Sequence, residues 1–104
     1  LRHRLVDAVA RGGWEAVPEK RREGVTRPAE PSADYLKALR EVYRHHPEKA
    51  AGERGFRRFV EAQTVWDRAM AQTIAEHLKR SPDSLVVGIL GAGHVRHGHG
   101  VAHQ

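Results

Sequence analysis

The sequence predicts an α/β fragment: mainly helical, with three helices of which the third is long, and a buried β-strand near the carboxy terminus. Three observations predict it. Apolar side chains recur at the helical period in three stretches. Prolines and glycines separate those stretches. The run Leu85-Val86-Val87-Gly88-Ile89-Leu90 is short, apolar and β-branched, the pattern of a strand covered on both faces.

Residues 1–11 place Leu1, Leu5, Val6 and Val9 at helical spacing, and Gly12-Gly13 ends them. Residues 14–31 are charged and broken by Pro18, Gly24, Pro28 and Pro31, which marks a connector. A second helix opens at Pro31-Ser32-Ala33-Asp34, with Ser32 as its N-cap. Tyr35, Leu36, Leu39, Val42 and Tyr43 form its apolar stripe. It ends near His45-His46-Pro47, because the residue before a proline disfavours helical geometry. The third helix spans residues 55–79, with Phe56, Phe59, Val60, Met70, Ala71, Ile74 and Leu78 on one face. Arg57, Arg58, Arg68, Gln72, Glu76 and Lys79 decorate the other side. Ser81-Pro82-Asp83 breaks it, and the strand at 85–90 follows. One strand cannot form a sheet, and its backbone donors and acceptors need neighbours. The chain opens within a helical pattern, so it reads as the carboxy-terminal part of a longer domain whose remainder supplies the other strands. Residues 1–54 are then a helical subdomain and connector. Residues 55–104 carry the long helix, the strand and a Gly/His-rich loop.

A length of 104 residues accommodates one small domain with a modest core. The chain is 39% hydrophobic and 30% charged, and no apolar run is long enough to cross a bilayer. It carries a net charge of +5. The Arg and Lys residues are scattered, and no zinc-finger or RNA-binding signature accompanies them, so nucleic acid is not the expected partner. With no cysteine, disulfides and thiolate metal sites are excluded.

Chemistry concentrates after the strand, where Gly91-Ala92-Gly93 leads into His94, His97, His99 and His103. Ligands of open α/β sheets bind outside the carboxyl ends of the strands. A glycine turn lets backbone approach a ligand. Imidazole binds metals and moves protons near neutral pH, and His-rich tracts read as metal-binding. The bland alternative is a tight turn with His94 as a capping side chain. HExxH is absent, so a zincin-type hydrolase is not indicated. On the third helix, Gln63 and Asp67 interrupt the apolar stripe and are neighbours at a spacing of four. A buried carboxylate needs partners. Either the turn's amides or an arginine satisfy Asp67 locally, or the pair faces the same cleft as His94, with Asp67 orienting an imidazole. Trp66 is rotated off this stripe and reads as packing or lining. Tyr35 and Tyr43 read as core.

Two blocks carry a family resemblance. Phe56-x-x-Phe59-x-x-Ala62-Gln63-x-x-Trp66-Asp67-x-x-Met70-Ala71, followed by Gly91-x-Gly93-His94-x-x-x-Gly98-x-Gly100-Val101, resembles the ChaN-like haem-binding uptake proteins. These belong to the superfamily that includes the Tiki and TraB proteins and the erythromycin esterases. Leu5-Val6-x-x-Val9 with Gly13-Trp14 also looks like the middle of that family. The resemblance implies a mostly parallel sheet flanked by helices, with a smaller helical subdomain. It implies bacterial envelope proteins, in the outer membrane or periplasm, often held by a lipid anchor that would lie outside this chain. It also implies haem as the bound cofactor, with His94 as the metal ligand. Gly91, Gly93, Gln63, Asp67, Trp66, His97 and His99 would line the cofactor site. A histidine or tyrosine would meet the iron, since a phenolate also ligates haem, and Arg96 could meet the propionates. A homodimer is left open. The family's Gly-Glu-x-His motif is absent, and Ala102 stands where the family usually has proline. The competing reading is a metal-dependent peptidase or esterase, with His94 on a divalent metal or acting as base, supported by Asp67 or Gln63.

Overall fold

A computed structural model describes residues 3–45, 52–81 and 99–104. Three α-helices dominate: α1 (His3–Gly12), α2 (Ala33–Arg44) and α3 (Gly52–Arg80). Short 3₁₀ turns at Trp14–Ala16 and Glu19–Arg21 shape the connector, and a third at Gly100–Ala102 shapes the tail. The α/β expectation is corrected. Among the described residues the architecture is helical, with no strand and no sheet. The physical reason is the one that made a lone strand problematic: a strand needs hydrogen-bonding neighbours, and the connector, the one other place for them, forms 3₁₀ turns instead. The 85–90 run itself lies outside the described residues.

α3 is the spine, and it is buried on opposite faces. Phe56 and Val60 pack with Tyr35 and Leu39 of α2. Val65 and Ala69 pack with Leu5 and Val9 of α1 and with Trp14, Val17 and Val25 of the connector. Val65 and Asp67 are two residues apart, hence about 200° around the helix from each other. The single stripe read from the sequence therefore missed Thr64, Val65 and Ala69, which are buried on α3. The α2 stripe is narrower than expected, because Leu36 and Val42 stay exposed while Tyr35 and Leu39 are buried. Ser32 caps α2 as predicted, its hydroxyl accepting from the Tyr35 N–H at 3.1 Å.

Side-chain amides bind the connector and tail to this frame. Gln72 of α3 donates to the Gly24 carbonyl at 2.6 Å and accepts from the Thr26 N–H at 3.1 Å. Gln104 exchanges two hydrogen bonds with the backbone of Ala29, at 2.6 and 3.0 Å. Arg68 of α3 donates to the Gln104 carbonyl at 3.1 Å. The tail thus closes on the connector and on α3.

α1 ends where its chain reverses against α3. The Gly13 N–H donates to the Val9 carbonyl at 2.8 Å, and the next N–H, of Trp14, donates to the Glu61 carboxylate at 3.2 Å. Gly13 sits at φ 86°, ψ 164°, a region essentially reserved for glycine. A Cβ there would also run into the Arg58 guanidinium, which is paired with Glu61 at 2.8 Å. Gly13→Ala is expected to lose about 1–3 kcal/mol, read from urea midpoints. Gly24→Ala is the comparison, since Gly24 also has positive φ but has nothing within 4 Å of the added carbon. It should cost less, and equal losses would show that crowding by Arg58 contributes nothing.

Candidate functional site

Asp67 is fully buried, on the face of α3 that meets α2. Tyr35 stands in the first turn of α2, because the Ser32 cap starts the helix there. Its hydroxyl donates to Asp67 Oδ2 at 2.6 Å, a short O–H···O bond. Gln63, one turn before Asp67 and half-buried, also acts on the Tyr35 hydroxyl, favouring its ionised form slightly. The His99 ring lies on the Tyr35 ring, with centroids 5.3 Å apart and planes 20° from parallel. Tyr35, Gln63, Asp67 and His99 therefore form one cluster that joins α2, α3 and the tail.

Among the described residues, a tyrosine hydroxyl donates to Asp67; the glycine-turn amides expected as its local partners lie outside the described residues. Gly91, Gly93, His94, Arg96 and His97 lie outside the described residues. Trp66 is half-buried and lies about 100° around α3 from Asp67. His103 is used elsewhere, its Nε2 standing 2.8 Å from the Glu30 carbonyl. The residue that sequence reasoning undervalued is Tyr35, which was assigned to core. A buried tyrosine needs a partner for its hydroxyl, and a buried carboxylate needs a donor. That complementarity was the available signal.

Burial, reinforced by the Asp67 bond and charge, raises the Tyr35 phenol far above the ordinary tyrosine range, against a smaller opposite pull from Gln63. Tyr35 is therefore a neutral donor at any physiological pH. The folded chain holds this proton more tightly than the unfolded chain does. Below about pH 10, where an ordinary tyrosine keeps its proton, the group gives stability no pH dependence. Above it, the unfolded chain releases the proton first and stability falls. Urea midpoints should decline above about pH 10, and Tyr35→Phe should flatten that decline. An unchanged slope in the variant would contradict the assignment.

A separate open groove of about 420 Å³ runs between the connector, α2 and α3. Trp14, Phe56, Val60 and Val65 give it an apolar floor, and Arg40 and Arg57 stand at it. The Arg40 guanidinium lies 4.1 Å over the Phe56 ring and pairs with Glu53 at 2.6 Å. Gln63, Trp66, Asp67 and His99 do not line this groove. Among the described residues, no group of three or more His, Asp or Glu side chains is placed to hold a metal ion.

The family model described as haem-binding uptake, Tiki superfamily, ChaN matches residues 1–104. The chain belongs to this family. No curated protein and no solved structure matches it.

Imidazole and phenolate are both ligands of haem iron. Of the two rings in the cluster, Tyr35 is 3% exposed, with its proton committed to Asp67. His99 is half-buried at the tail. Of the two, the imidazole is the side chain whose chemistry would suit haem iron.

Proposed function

We propose that this chain is the haem-holding part of a bacterial haem- or iron-uptake protein. The carrying observation is the His99 ring laid on a Tyr35 whose hydroxyl is fixed by the buried Asp67. The imidazole stacks on the phenol, and the phenol is fixed by the carboxylate, so the three groups are held together in one cluster. In this reading His94 ligates the iron, while Gly91 and Gly93 let the backbone approach the macrocycle. His97 and His99 stand beside it, and Gln63 and Trp66 line the site. When bound, haem would supply an iron centre whose potential answers to the protein's ligand, hydrogen bonds and burial. Attachment to the cell envelope, by an anchor outside these residues, belongs to the same proposal.

Titration with haemin tests it. The chain should shift the Soret band away from that of free haemin and saturate near one equivalent. His94→Ala should weaken binding or move the band. A wild-type spectrum identical to haemin with an inert protein would reject haem binding, and an unchanged titration in the variant would remove His94 from the iron.

A further inference from the structure

A second cleft, of about 840 Å³, opens between α1 and the connector, away from the Tyr35–Asp67 cluster. Leu5, Ala8 and Val17 give it an apolar base, and four cations line it: Arg4 and Arg11 of α1, with Lys20 and Arg21 of the second 3₁₀ turn. Arg4 and Arg11 are seven residues apart, so two helical turns return them to one face. No acidic side chain is among the described lining residues. Asp7 lies on the same helix, yet it does not line the cleft. Elsewhere, four guanidinium groups, those of Arg27, Arg40, Arg44 and Arg58, each pair with a glutamate. None of the four cleft cations has such a pair among the described residues.

Like charges gathered over an apolar base repel one another and focus a positive potential into the cleft. Guanidinium forks match the oxygens of phosphate in paired hydrogen bonds. Four cations facing no carboxylate call for a ligand with two or more negative charges. We propose that this cleft is a binding site for a phosphate-bearing ligand, whether the phosphate belongs to a lipid headgroup or to a soluble phosphate ester. The site is independent of haem.

The test uses the full chain and two charge-matched variants. One neutralises the cleft (Arg4→Gln, Arg11→Gln, Lys20→Gln, Arg21→Gln). The other neutralises four exposed cations on α2 and α3 (Lys37→Gln, Arg54→Gln, Lys79→Gln, Arg80→Gln). Pyrophosphate binding is followed by calorimetry. Vesicle binding is followed by sedimentation with 70:30 phosphatidylcholine:phosphatidylglycerol. A cation close to an anionic surface contributes about fivefold in affinity. The cleft variant should therefore lose at least tenfold on one of the two probes, and the control variant less than threefold. Vesicle binding that survives millimolar phosphate identifies a headgroup. Pyrophosphate binding without vesicle binding identifies a soluble ester. Equal losses in the two variants, or wild-type binding to neither probe, would overturn the site. Helical circular dichroism verifies folding. If the quadruple cleft variant unfolds, the single changes Arg11→Gln and Arg21→Gln carry the comparison, each losing about fivefold, and no loss in either overturns the site. Haemin titration of the cleft variant should match wild type, which separates this outcome from that of the haem proposal.

Discussion

Trp14→Ala should destabilise the chain by about 3–5 kcal/mol, the usual cost of emptying a buried aromatic site. Trp14 is 4% exposed and joins α1, α3 and the connector in one cluster. Its ring also lies under the Arg22 guanidinium at 4.3 Å, and its carbonyl accepts from that side chain at 3.1 Å. The indole Nε1 is buried with no hydrogen-bond partner among the described residues. The energy therefore sits in ring packing, not in the N–H. Trp14→Phe, which keeps a ring and removes the unpartnered donor, should cost less than half as much in urea unfolding. Equal losses for alanine and phenylalanine would show that the N–H carries the effect.

Tyr35→Phe should lose about 1–3 kcal/mol, the cost of leaving a buried acceptor without its donor. The ring, and with it the stack on His99, survives in phenylalanine. The loss therefore reports the bond to Asp67. A double-mutant cycle with Asp67→Asn should give a coupling of about 1–3 kcal/mol, because the two residues share one bond. Additive losses would mean that the 2.6 Å contact contributes no stability of its own.

Much of this fold was legible from local signals. The Ser32 cap, the stop at Gly12-Gly13 and the long third helix depend on neighbours in sequence, and local chemistry decides them. Two features were less legible. The first is the pair of opposite buried faces on α3. A helix enclosed on both sides has Val65 and Ala69 about half a turn away from Phe56 and Val60, and a one-stripe reading discards the weaker face. The second is the partner of Asp67. The period of α3 showed that Asp67 is buried, but its donor lies 32 residues away on α2, and no spacing rule reaches that far. The α/β reading failed for a related reason. An apolar β-branched run is a sound strand signal, yet a sheet is a property of several segments, and the described remainder of the chain is helical.

Haemin affinity in the His99→Ala variant tests the account most directly, because His99 is the described imidazole that the Tyr35–Asp67 pair supports. The account predicts a haemin affinity about tenfold weaker, the usual cost of losing a supporting residue, with the helical circular dichroism retained. A titration curve and spectrum superimposable on those of the wild type would contradict it.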